Sequence, residues 1–334
     1  YCRHAPDGGD GRDMTNGLSG PRKQFLDVLR VLATCAVVLM HVLTGATDVT
    51  DASIVPEYRS LLLSVMDLVT WCVPIFLLIS GYLFLNPERT LTYPVMIKKY
   101  CRRIALAILL FGVPYAASEL VVAERSFRVM MIPEALKMTL MGHTWSHMWY
   151  LYLILFLYLI TPLLKKVLRV LPVWGVGTVM AVIFLGSSVA PFLNKVLDVN
   201  SIPVLPDGGV YFLYYLCGYL FAVREVCVDK GRNVWLTAAV AVLALGMILS
   251  RTLAGFSIQM AYNYPFTVLL AVLLFAAGWN GSIKKHRIPW QEAGALSFAV
   301  YLVHPVYVNL LYKFVKITPF TVLEQCDVQS VAAG

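Results

Sequence analysis

Residues 25–44, FLDVLRVLATCAVVLMHVLT, are long and apolar enough to cross a hydrocarbon core as one helix, yet they carry Asp27, Arg30 and His41. In an α-helix turning about 100° per residue, the step from Arg30 to His41 ends about 20° beyond three full turns, so both side chains leave one face. Asp27, Thr34 and Thr44 fall close to the same line, while Val28, Leu29, Val31, Leu32, Val38, Leu39, Met40 and Val42 cover the other faces. This pattern predicts a membrane helix with one narrow polar stripe, whose ionisable ends are roughly 16 Å apart at about 1.5 Å rise per residue. Ionisable groups at membrane depth are costly, and they face a bundle interior or a wet cavity. Arg30 can instead snorkel to the cytoplasmic edge, its stem covering apolar surface. His41 lies nearer the far end and is harder to explain by packing alone.

A chain of 334 residues with 59% hydrophobic and 14% charged residues, and a mean hydropathy of +0.72, is too apolar for an ordinary soluble globule. The fold class expected is an all-α, polytopic transmembrane helix bundle of nine to ten spans. The net charge of +8 does not point to nucleic acid, because the Lys and Arg residues fall in short clusters between apolar spans rather than on one basic face. Seven cysteines without a CxxC pair give no disulfide framework and no structural zinc site, and no metal is expected.

Residues 1–22 are rich in Gly, Asp and Arg and read as a disordered lead-in, with Met14 a candidate natural start. Residues 23–313 form the expected membrane domain and 314–334 a tail. Nine apolar spans are expected, near 25–44, 61–85, 104–122, 148–164, 173–193, 210–223, 234–249, 262–279 and 293–311. Residues 127–142 are interrupted by Arg128, Pro133, Glu134 and Lys137, and read as an interfacial or re-entrant helix. Basic clusters at Arg22 and Lys23, Lys98 to Arg103, Lys165 to Arg169, Arg224 to Arg232 and Lys284 to Arg287 then share one side. The opposite side holds Asp48, Asp51 and Glu57. The positive-inside rule makes that basic side, and the amino terminus, cytoplasmic.

Other polar groups recur at helical spacing. Ser297, Tyr301 and His304 stand at i, i+4 and i+7 on the last span, with Pro305 freeing local backbone groups. Trp145, Ser146, His147, Trp149, Tyr150 and Tyr152 gather at the outer mouth of the fourth span, where aromatic belts are common. Ser80 and Gly81 read as a close-packing point between helices. Lys98, Lys99, Arg102 and Arg103 signal topology, and they could also meet a phosphate-bearing cytoplasmic ligand. No Walker loop, GxSxG elbow, HExxH or strand-linked GxGxxG occurs, so chemistry has to come from intramembrane polar side chains.

These motifs resemble the membrane acyltransferase-3 family, integral-membrane O-acyltransferases of bacterial surface glycans and related acceptors. The resemblance is carried by FLDVLRVLATCAVVLMH with its Arg30 and His41, PIFLLISGYLF at 74–84, KKYCRRI at 98–104, HMWYLYLILFLYLITPLL at 147–164 and FAVYLVHPVY at 298–307. It implies transfer of an acyl group, usually acetyl from acetyl-CoA or another acyl-CoA, to a hydroxyl of a glycan or lipid-linked sugar acceptor, in the bacterial cytoplasmic (inner) membrane. Such transfer needs a base for the hydroxyl proton, and positive charge or hydrogen-bond donors for the thioester oxygen or the CoA phosphates. His41 is the expected general base, with Arg30 supporting donor binding or pairing with Asp27. Lys99, Arg102 and Arg103 are the expected donor-binding residues, and His147, Trp149, Tyr150 and His304 the expected acceptor-binding ones. The family often carries two arginines three residues apart at the third span, where this chain has Lys99 with Arg102 or Tyr100 with Arg103. A transporter or flippase with Arg30 and His41 along its path is the rival expectation. It lacks the matched pair of broken helices that marks an inverted repeat.

Overall fold

The computed structural model describes residues 24–49, 56–224, 233–253, 261–280 and 289–319. The expected lead-in, most of the expected tail, Asp51, Lys230, Arg232 and the cluster Lys284 to Arg287 lie outside the described residues. Among the described residues every regular element is helical. Six stretches are long and apolar enough to cross a membrane: Gln24–Ala46, Leu62–Phe84, Tyr93–Glu124, Ser146–Val170, Val173–Leu197 and Trp290–Lys313. Three shorter apolar helices cover Gly208–Val223, Ala238–Met247 and Pro265–Trp279. Each of these nine helices overlaps an expected span, six of them long enough to cross, and the chain is an integral-membrane helix bundle.

We number the helices α1 (Gln24–Val49), α2 (Pro56–Val69), α3 (Cys72–Phe84), α4 (Tyr93–Glu124), α5 (Met131–Leu140), α6 (Trp149–Val170), α7 (Val173–Leu197), α8 (Gly208–Arg224), α9 (Asn233–Leu253), α10 (Pro265–Asn280) and α11 (Trp290–Leu310). The second span is broken at Thr70 and Trp71, four residues before Pro74, whose nitrogen has no hydrogen to donate to the Thr70 carbonyl. In α4 a π-helical turn at Ile108–Gly112 takes up the defect made by Pro114 in the same way.

Helix α5 is ten residues long, about 15 Å, and too short to cross. Met131, Ala135 and Thr139 line its buried face, while Ile132, Leu136 and Leu140 are exposed. The expected interfacial or re-entrant helix is therefore a short amphipathic helix packed on α4. Gly112 makes that packing possible, because a Cβ there would stand 2.7 Å from Thr139 Cγ2. The chain then turns into the loop that carries Trp145 and His147.

Two helix pairs organise the interior. Helices α3 and α8 cross at Gly81 and Gly218: a Cβ on Gly81 would fall inside the radius of the Tyr215 carbonyl oxygen, and one on Gly218 inside that of Leu78 O. The close packing expected at Ser80 and Gly81 is thus a backbone-to-backbone approach, of the kind small residues permit in membranes. Helices α1 and α11 run parallel along most of their length. Gly294 lies against Asp27 at one end, and Tyr312, just beyond α11, donates its hydroxyl to Val42 O at the other. Phe25, Tyr82 and Phe275 interlock edge to face beside them, with centroids 5.8–5.9 Å apart.

Gly218→Ala is expected to lower stability by roughly 1–3 kcal/mol through overpacking against the Leu78 carbonyl. Gly177→Ala, which meets nothing within 4 Å, is expected to leave it unchanged or slightly raised. Thermal unfolding of the detergent-solubilised protein, followed by helical circular dichroism, checks both.

Candidate functional site

Three histidines from distant parts of the sequence meet at one end of the bundle. His41 comes from α1, His147 from the 3-10 turn Ser146–Met148 before α6, and His304 from α11. Ring centroids are 5.0 Å apart for His41 and His304, 5.7 Å for His147 and His304, and 6.2 Å for His41 and His147. His147 and His304 are buried, while His41 is half-buried. Among the described residues no group of three or more His, Cys, Asp or Glu side chains is arranged to hold a metal ion.

Local backbone chemistry holds these rings. Pro305 has no hydrogen to donate to the Tyr301 carbonyl, and His304 Nδ1 stands 2.8 Å from that oxygen and 3.2 Å from Val300 O. Both neighbours are acceptors, so Nδ1 carries the ring hydrogen and Nε2 is left with its lone pair. The Tyr301 hydroxyl donates to the His147 carbonyl, and the Tyr115 hydroxyl donates to Leu302 O at 2.6 Å. Trp145 stacks flat on Tyr115, with centroids 4.3 Å apart and planes 5° from parallel. The Tyr301 hydroxyl from α11 and the Tyr115 ring from α4 thereby hold the loop that presents His147. Nε2 of His147 and of His304 are both buried with no hydrogen-bond partner among the described residues.

His41 and His147 open into a cavity of about 610 Å³, whose walls include Trp145, Glu119, Asn309 and Lys313. That volume suits a small-molecule site. Trp149 and Tyr150 are not among its lining residues. Trp149 packs against Tyr211 and Tyr262, with centroids 5.3 and 5.8 Å away, and Tyr150 against Tyr301 and Phe76, at 5.8 and 6.2 Å. They form a wall behind the histidines rather than its surface.

The other end of α1 is organised by charge. Arg30 Nη1 pairs with Asp27 Oδ1 at 2.9 Å, the pairing the sequence allowed, with the carboxylate buried beneath Gly294. A second cavity, about 440 Å³, lies at the carboxyl end of α6 and is lined by Thr90, Tyr93, Pro162, Lys165, Lys166 and Arg169 among others. Lys165 donates to Asn86 O. Arg89 donates to the Tyr100 hydroxyl at 2.6 Å and to Leu83 O at 3.2 Å, and lies over the Phe84 ring at 5.2 Å. Lys99 rests over Tyr100 at 5.7 Å and Arg103 over Phe298 at 5.1 Å, while Arg102 is exposed. None of these three lines the second cavity.

In the sequence Lys165 reads as a topology marker only, within its basic cluster, and Arg89 is not singled out. Lys165 nevertheless continues the buried stripe Leu157, Thr161, Lys165, Leu168, and a lysine in phase with an apolar helical face is a signal that periodicity can find. His147 and Lys165 belong to one continuous helical stretch, eighteen residues apart and therefore separated by roughly 27 Å. Between the two ends lies an aromatic interior that carries hydroxyls, including Thr161 Oγ1 2.8 Å from the Tyr215 hydroxyl and Tyr158 packed on Phe84 at 4.7 Å.

An apolar helix bundle with a cavity near each end of one long helix defines a class, the multi-span membrane proteins. The sequence matches the family described as acyltransferase domain over residues 23–326, nearly the whole chain, and the protein belongs to this acyltransferase-3 family. It is therefore a membrane acyltransferase, transferring groups other than aminoacyl groups between an acyl donor and an acceptor. No curated protein and no solved structure matches the chain.

Proposed function

We propose that the protein moves an acyl group, acetyl in the simplest case, from an acyl-CoA to a hydroxyl of a sugar or other cell-envelope acceptor. His41 is the general base, and residues 23–313 form the transferase domain. The observation that carries this reading is the place of His41 on the wall of the 610 Å³ cavity, within ring contact of two further imidazoles. A neutral imidazole there takes the acceptor hydroxyl proton as oxygen attacks the thioester carbon, and the carbon–sulfur bond then breaks to release CoA thiol. Trp145 and His147 contact the acceptor directly. Trp149, Tyr150 and His304 shape the site from behind.

The donor enters at the opposite end. Lys165, Lys166 and Arg169 line the cavity there, and Arg89, Lys99, Arg102 and Arg103 add positive charge around it, which suits the phosphates of CoA. Arg30, held by Asp27, supports the donor side of the path rather than the reacting oxygen. The parallel run of α1 and α11 requires an odd number of crossings between them, and nine spans with a non-crossing α5 give seven. With the basic clusters inside, the amino terminus is cytoplasmic and the membrane is the bacterial inner membrane. Membership of the family favours transfer over transport for the same polar stripe.

His41→Gln keeps polarity and approximate size, so it is expected to insert and fold yet lose about 10²- to 10⁴-fold in rate. Label transfer from radiolabelled acetyl-CoA in membrane vesicles measures this, and near-native turnover by that variant excludes His41 as the base. Replacing Lys165 and Arg169 together by Gln is expected to raise KM for acetyl-CoA far more than it lowers kcat. Donor kinetics unchanged in correctly inserted protein would remove that cavity from the donor site.

A further inference from the structure

The tautomer of His304 is fixed by its surroundings. Its Nδ1 hydrogen is engaged by the Tyr301 and Val300 carbonyls, at 2.8 and 3.2 Å, so the only basic atom of the ring is Nε2. That atom is buried, has no partner among the described residues, and belongs to a ring whose centroid is 5.0 Å from that of His41. An unsatisfied acceptor in a membrane interior carries a desolvation cost. Burying a lone pair next to the proposed base is unproductive for packing, and useful for receiving a proton.

The helix pairing sets the two rings side by side. Asp27 lies against Gly294 at one end, and towards the other Gly45 lies against Val308, so residues 41 and 304, each four positions back, stand at about the same level of the parallel pair. His41 is on the wall of the acceptor cavity and His304 lies behind it.

Resting on the reading of His41 as base, we infer that His304 is the second station of the transferred proton and returns it to the leaving thiolate. As the acceptor oxygen bonds to the thioester carbon, its proton passes to one nitrogen of His41, and the proton on the other nitrogen of His41 passes to His304 Nε2. The resulting His304 imidazolium is stabilised through Nδ1 by the two carbonyls. When the carbon–sulfur bond breaks, the sulfur takes the proton from Nε2, leaving CoA thiol, the acylated acceptor and both histidines neutral. No oxidant, metal or further reactant enters. His147, with its own unpartnered Nε2 and its ring 5.7 Å from that of His304, stays on the acceptor side, where its carbonyl is held by Tyr301.

The test uses inverted membrane vesicles holding the full chain and their endogenous acceptor, with radiolabelled acetyl-CoA at saturation. In mixtures of light and heavy water the native enzyme is expected to give a curved dependence of rate on deuterium fraction, because two protons are in flight. His304→Asn keeps a donor near the Nδ1 position for the Tyr301 carbonyl but has nothing at Nε2. It is expected to be slower by about 10²-fold, the lower end for loss of acid–base help, with KM for acetyl-CoA little changed and a linear isotope dependence. A linear or flat dependence in the native enzyme overturns the relay without need of any variant, and so does a His304→Asn rate close to native. If His41→Gln is inactive while His304→Asn is normal, the relay alone fails. If His41→Gln is active, the assignment of the base fails with it.

Discussion

A hydrocarbon interior offers no water to a polar group, so every ionisable side chain in this bundle is placed by what can replace water around it. The parallel packing of α1 and α11 is the arrangement through which that is done. At one end it buries Asp27 beneath Gly294, with Arg30 as the ion partner. At the other it brings His41 against His304, beside a carbonyl that Pro305 has released. The same two helices thus carry a charge pair at one level and an imidazole cluster at another.

The rest of the fold fixes the distance between those levels. The crossing of α3 and α8 at Gly81 and Gly218 is closed by backbone contact and leaves little room to slide. Helix α6 runs alongside with His147 at one end and Lys165 at the other, and the aromatic interior between them carries hydroxyls rather than charges. An ionised group is far more costly at that depth than a hydroxyl that can find a partner.

Much of this was legible in the sequence where the signal is local. The Arg30 and His41 stripe, the non-crossing segment at 127–142 and the glycine contact at Gly81 follow from helical period, interrupting charges and residue size. Convergence of His41, His147 and His304 was not legible, because it depends on which helices pack together, and helices α1 and α11 are neighbours in space from opposite ends of the chain. Trp149 and Tyr150 show the reverse limit: an aromatic cluster at a span mouth has the same composition whether it faces a ligand or a neighbouring helix. Lys165 was hidden by its company, since a basic residue beside other basic residues reads as a topology signal until its helical phase is compared with the buried face.

The central claim is that one bundle takes the donor from the cytoplasmic side and the acceptor from the other. Its most direct test is to supply radiolabelled acetyl-CoA, which does not cross bilayers, to inverted and to right-side-out vesicles of matched enzyme content. Label is expected to enter acceptor glycan only in inverted vesicles, and the acylated product to lie in their lumen, protected from an added esterase until detergent is present. Equal labelling in right-side-out vesicles, or product open to the esterase without detergent, would contradict transfer across the bundle.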